Sequence, residues 1–322
     1  MSRQPKTEIL DAEEQLLVRL AYACEIQGMT QAQAAETFGV TRLRVNKALA
    51  EARERGIVRV TINSPMGASV VLEDTLRARF DMGSVTVAPV AGEDFNLHTI
   101  LGSALGQFLT KFLAREDVQL FGMSWGNTLN MATRFMEPLN RPELEITSVM
   151  GGLSKGSDVN SYEITTRLGD LCNARHSYFT APVYAASVES RKILRDQKEF
   201  RGSIEKIRAA DGLALAAGDM NTSLLLADGL PDDLTKAELQ AAGAVGDIMG
   251  YFLDASGAKI DHEINQRLLG LELEDLDRLP NVIVAAGGAG KVPIIRAILR
   301  RGCVDHLITD ERTAQLLVDS PA

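Results

Sequence analysis

Four glycine-bearing loops and one basic helix tip carry the residues with chemistry to offer. Gly122, Ser124, Trp125, Gly126, Asn127 and Thr128 set two glycines among hydroxyl and amide side chains. Ahead of a helix, such a loop holds an anion on its backbone N–H groups. The same run reads G-x-S-x-G, the nucleophile elbow of hydrolases, with Ser124 as nucleophile. That chemistry needs an acid and then a histidine downstream. Asp247, Asp254 or Asp261 ahead of His262 or His306 would supply them. A turn with no ligand is the third reading. Gly151 and Gly152 open a second loop, permitting close backbone approach, and its Lys155 is placed to meet a phosphate or a carbonyl. Asn160 and Glu163 follow with hydrogen-bonding side chains. Gly246 and Asp247 put a short carboxylate where sugar hydroxyls would suit it. Ala285 to Lys291 looks like a P-loop but has Ala285 where glycine is needed and Val292 where Ser or Thr is needed, so nucleoside triphosphates are not expected. What stays is a glycine-rich helix start, with Pro293 early in the helix, and the point charge of Lys291.

The basic tip lies in Met29 to Arg55. Thr30 is a natural N-cap with Gln33 three residues on, and Ala34 and Ala35 allow a second helix to approach closely. Gly39 suits a left-handed turn, Val40 plugs it, and Thr41 caps the next helix. Val45, Ala48 and Leu49 give that helix an apolar stripe. Arg42, Arg44, Asn46 and Lys47 remain near its exposed start, where a helix-turn-helix meets base edges and phosphates. Thr30, Gln31, Thr41, Arg42, Arg44, Asn46 and Lys47 are the candidate DNA contacts. A small helical bundle with a solvated basic face is the plainer alternative.

These loops need elements to hold them. Glu13 to Gln27 has helical spacing and should pack under the helix pair. Residues 57–63, Ile-Val-Arg-Val-Thr-Ile-Asn, alternate like a short strand and suggest a wing, with Arg59 near a phosphate or merely solvated. Residues 63–69 read as a linker. Beyond it, expected strands (84–90, 118–122, 145–150, 213–217, 245–253, 282–286, 306–308) alternate with helices, and 177–184 is extended. That alternation predicts an α/β, doubly wound, Rossmann-like domain over 64–322, behind a winged helix-turn-helix over 1–63. Ligands in such a sheet sit beyond the carboxyl ends of its strands.

At 322 residues and 45% hydrophobic content the chain can fill two cores. Aromatics are only 5%, which argues against stacking single-stranded nucleic acid. The net charge of −9 divides unevenly: residues 1–63 carry nine basic and eight acidic side chains, the rest 25 and 35. A slightly positive head on an acidic body confines non-specific attraction to the head. The three cysteines, Cys24, Cys172 and Cys303, are far apart and fit reduced thiols. No metal-ligand spacing, cofactor motif, membrane span or signal peptide is read, so no metal, no cofactor and a cytoplasmic location are expected.

The stretches TRLRVNKALAEARERGIVRV, GMSWGNTL, VMGGL, VGDIMGYFLD with Gly257, and AAGGAGKVPIIRAILRRGCVDHLITDERTAQLL together resemble the SorC family of bacterial transcriptional regulators. The resemblance runs through nearly the whole chain. It implies a sugar-binding domain like the sugar-phosphate isomerases and deaminases, an effector that is a phosphorylated sugar or polyol derivative, and a homodimer or, more usually, a homotetramer gripping double-stranded operator DNA. By resemblance, the family's phosphate-holding loop falls on Gly122, Ser124, Gly126 and Thr128. Its glycine pair falls on Gly151 and Gly152, its acid on Asp247 and its lysine on Lys291. Members often carry a basic residue where Asn127 stands here, which favours a singly phosphorylated or unphosphorylated effector. The expected function is a regulator of a carbohydrate-catabolism operon, a repressor released by its sugar, and not an enzyme. The competing class is an isomerase, deaminase or serine hydrolase working through residues 122–128.

Overall fold

The computed structural model describes residues 12–58, 67–90, 96–152 and 161–320. The chain divides into two compact units, Met1–Ser64 and Pro65–Ala322. The first holds α1 (Ala12–Glu25), α2 (Gln31–Thr37) and α3 (Arg42–Glu54). Leu17, Leu20, Ala21, Ala34, Ala35, Val45, Ala48, Leu49 and Ala52 form its core. The expected capping box forms at Thr30: its hydroxyl accepts the Gln33 N–H at 3.3 Å, and Gln33 Oε1 accepts the Thr30 N–H at 2.9 Å. Gly39 takes φ +62°, the left-handed turn between α2 and α3. Thr41 caps α3 by accepting the Arg44 N–H. Of the expected 57–63 strand, residues 59–63, with Arg59, lie outside the described residues; Val58 packs against the three-helix core.

The second unit runs α4 (Gly67–Phe80), β1 (Ser84–Ala88), α5 (Leu97–Leu113), β2 (Leu120–Met123), α6 (Asn127–Ala132), β3 (Glu145–Ser148), α7 (Ser161–Leu171), β4 (Arg175–Ser177), α8 (Val188–Arg195), α9 (Lys198–Arg208), β5 (Gly212–Leu215) and β6 (Ala217–Asp219). It continues with α10 (Lys236–Ala241), β7 (Gly246–Ile248), β8 (Tyr251–Leu253), α11 (Glu263–Arg267), β9 (Val282–Ala285), α12 (Val292–Arg301), β10 (His306–Asp310) and α13 (Glu311–Asp319). Seven strands pair in parallel in the order β1-β10-β9-β5-β2-β3-β4. The central strands β5 and β9 are buried throughout and read Gly-Leu-Ala-Leu and Val-Ile-Val-Ala, whereas edge strand β4 is mostly exposed. From β2 the chain works outward through β3 to β4; from β5 it works the other way through β9 to β10. The order therefore reverses between β2 and β5, where a crevice opens beyond the strand ends.

Two expectations are corrected. The 245–253 run is not one strand. It is the hairpin β7–β8, which joins β6 in a separate antiparallel sheet, β6-β7-β8. Met249 and Gly250 turn it with φ +52° and +84°, the two-residue turn whose hand matches a twisted hairpin. A methionine in that turn gives no sequence signal. The linker expected over 63–69 ends earlier, because α4 already begins at Gly67. The run read as extended over 177–184 carries the last residue of β4 and isolated bridges at Pro182 and Tyr184.

Candidate functional site

A cavity of about 300 Å³ opens in that crevice. The β2 loop supplies Ser124, Trp125 and Gly126, and the start of α6 adds Asn127 and Thr128. Beyond β5 come Ala216, Ala217 and Gly218. The hairpin contributes Asp247, Met249 and Gly250, and the turn ahead of α12 contributes Lys291. His98, Met150, Thr222 and Ser223 complete the polar and sulfur-bearing wall. Ser124, Trp125, Gly126, Asn127, Thr128, Asp247 and Lys291, chosen from three separate loops, thus meet around one space. Gly126 needs its lack of side chain: it sits at φ +142°, and a Cβ there would press on Ala216.

The other candidates are not brought there. Gly122 does not line the cavity; a Cβ on it would overlap Leu213 and Val149, so it serves sheet packing. Gly151 is a glycine because the Ala181 and Pro182 carbonyls crowd it. Gly152 lines a different depression, with Pro182, Tyr184 and Arg267. The P-loop-like run also turns inward: the Gly288 N–H donates to Asp310 Oδ2 at 3.0 Å and Thr313 Oγ1 at 2.7 Å rather than to a ligand. Only the Lys291 side chain carries that loop's chemistry into the cavity. Lys155 and Asn160 lie outside the described residues. Asp247 sits within a strand of the antiparallel sheet, not in a loop of the parallel one.

Electrostatically the cavity is mixed. Asp247 is 7% exposed and accepts a hydrogen bond from Ser223 Oγ at 3.0 Å. Burial pushes its carboxyl up to about 6, against the pull of Ser223, the Gly250 N–H and Lys291. Asp219, just behind Thr222, is also pushed up by burial. The Thr222 hydroxyl, the N–H groups of Asn221 and Thr222 and the Lys291 charge outweigh this and hold it below its ordinary value. Burial lowers Lys291, partly offset by those two carboxylates. His98 is lowered by burial and then by Lys291, and its Nδ1 is 3.2 Å from Thr128 Oγ1. His98, Thr222, Ser223 and Asp219 escaped sequence reasoning. Only the Asp-x-Asn-Thr run at 219–222, a side-chain turn pattern, could have marked one of them.

The elbow geometry is not assembled. Ser124 is not among the residues with positive φ, and its hydroxyl points to Met150 Sδ at 3.3 Å. The cavity's histidine, His98, pairs with Thr128 instead.

In the helical unit, Thr30, Thr41, Arg42, Arg44, Asn46 and Lys47 are exposed and Gln31 is half-buried. Arg44 forms a 2.7 Å ion pair with Glu13, and together with Lys47 it lines a groove with Glu13, Glu14 and Glu51. Arg42 and Asn46 do not line that groove. Leu43 is 78% exposed beside them, an apolar residue that sequence reasoning passed over.

Residues 64–319 match the family described as "Putative sugar-binding domain", and residues 8–55 match region 4 of sigma-70. The chain is 31% identical over 314 residues to the transcriptional regulator LsrR of Enterobacter sp. (strain 638), covering 95% of this chain and 93% of that protein. It belongs to the SorC family of transcriptional regulators. This regulator is also 27% identical over 312 residues to the erythritol catabolism regulatory protein EryD of Brucella abortus (strain 2308), covering 97% and 98% of the two chains. Its fold is that of the full-length sorbitol operon regulator SorC from Klebsiella pneumoniae (TM-score 0.71, 23% identity, 95% and 99% covered). A DeoR family transcriptional regulator from Listeria monocytogenes matches with a TM-score of 0.70 at 25% identity over 78% of the regulator and 100% of that chain. The regulator thus joins a helix-turn-helix to a sugar-binding body.

Proposed function

We propose that the regulator represses a carbohydrate-catabolism operon and that a sugar or polyol derivative, bound in the crevice cavity, releases it from DNA. The observation that carries this is the convergence of Asp247, Lys291, Asn127, Thr128 and Ser223 on one space beyond the strand ends. Such a wall offers hydroxyl acceptors, donors and one cation, the needs of a small polyhydroxylated ligand. In the head, Arg42, Arg44, Asn46 and Lys47 are proposed to meet the major groove. Thr30, Gln31 and Thr41, at the helix starts, lie against phosphates. Two heads on a homodimer or homotetramer would read paired half-sites, in the cytoplasm where the operator is.

The two ligands would be coupled by about 1–3 kcal/mol, a factor of roughly 5 to 150 in affinity. The test is fluorescence anisotropy of the purified chain on its own upstream DNA, titrated with a panel of aldoses, ketoses, polyols and their phosphates. At least one member should weaken operator binding in the wild type and fail to do so in Lys291→Ala. A panel in which no compound changes operator affinity, on a protein that binds the operator, would refute the cavity as the control site.

A further inference from the structure

We propose that the cavity selects an uncharged polyol or sugar over its phosphate ester, a reading that rests on the effector site above and names its ligand class. A phosphate monoester brings about −1.5 to −2 charges, which more than one cationic side chain would be needed to balance. Among the described residues lining the cavity, Lys291 is the single cationic side chain and there is no arginine. Its charge is already shared: Asp247 stands on the wall and Asp219 just behind it, and both act on that ammonium. Burial of Lys291 adds to the mismatch, since desolvation works against its charge and is only partly offset by the two carboxylates.

Hydroxyls find the opposite conditions. The Asp247 carboxylate accepts from Ser223 and from the Gly250 N–H, and its two oxygens keep acceptor capacity beyond these. Asn127 both donates and accepts, as do the hydroxyls of Thr128 and Ser124. Each can engage a polyol without a charge to balance. At about 300 Å³ the space lies at the low end for small-molecule sites, which suits a short carbon chain with no appended phosphate.

The experiment is isothermal titration of the full-length chain with matched pairs: four- to six-carbon polyols and aldoses, each against its terminal monophosphate. The best uncharged compound should bind at least tenfold more tightly than its own monophosphate. Asp247→Asn removes a repelling charge and a hydroxyl acceptor. It should weaken the polyol and strengthen the monophosphate, opposite signs that a folding defect cannot produce. Asn127→Arg should move the ratio at least tenfold toward the monophosphate. A wild-type chain that binds a monophosphate more tightly than its parent overturns the charge selection and leaves the effector site standing. Failure of both series to bind overturns the effector site itself, and the selection with it.

Discussion

Glu13 reaches from α1 to α3 to hold Arg44. Both side chains are well exposed, so the pair is worth at most about 1 kcal/mol, and Arg44 can leave it for DNA. Replacing Glu13 with Gln removes a carboxylate from the basic face and frees the guanidinium. Operator affinity should rise about two- to fivefold at low salt, and the gain should fade as screening shortens. Arg42→Ala should act in the other direction, costing about 1–3 kcal/mol if that side chain reads a guanine. An operator titration that leaves both variants at the wild-type value would remove this face from recognition. Asp247 makes a prediction of a different kind. Its folded carboxyl titrates near 6, above the ordinary 3.8, so the native state holds a proton that the unfolded chain gives up. Stability from this group is therefore lost as pH rises from about 4 to 6, and stays lost above, by on the order of 2–3 kcal/mol. Asp247→Asn should melt at a higher temperature than the wild type at pH 7, with the gap closing near pH 4. A constant gap across that window would rule out a buried ionised carboxylate as its cause.

The elements show why some of this could be read from the chain and some could not. Thr30, Gly39 and Thr41 act on backbone within a few residues, so the helix pair was legible from local chemistry alone. The buried strands were legible as apolar runs. The glycines were not, because the same residue lines the cavity at Gly126 and serves only packing at Gly122 and Gly151. What decides between them is the neighbour across the sheet, far away in sequence. His98 and Ser223 reach the cavity from elements that no loop motif connects. α5 and α6 give the same lesson in energetic form. A Cβ on Gly106 would lie 2.8 Å from the Ala132 carbonyl oxygen, and one on Gly102 would lie 2.6 Å from Met131 Cγ. An alanine in mid-helix normally gains about 1 kcal/mol over glycine. Here the clash should reverse the sign. Gly106→Ala is expected to lower stability by about 1–3 kcal/mol in a denaturant titration, and to loosen ligand binding, because α6 begins at Asn127.

Over the whole molecule, sensing and DNA reading reside in two separate units, and thermodynamic linkage requires the coupling to be reciprocal. An operator duplex should therefore weaken effector binding by the same factor by which the effector weakens operator binding. Titration calorimetry with and without DNA checks this, and unequal factors would mean that a third species, such as a change of assembly state, enters the balance. The hairpin β7–β8 shows where such a signal would start. Asp247 and Met249 face the cavity from it, yet its Gly246 lies so close to α12 that a Cβ would overlap Ile294. The helix in turn begins beside Lys291. Hairpin and helix thus pack directly on one another, like a pair of jaws closed on a glycine, and whatever shifts one must press on the other. Deuterium uptake in 246–253 and 292–301 should fall in step when the metabolite is added, as though one spring had been wound.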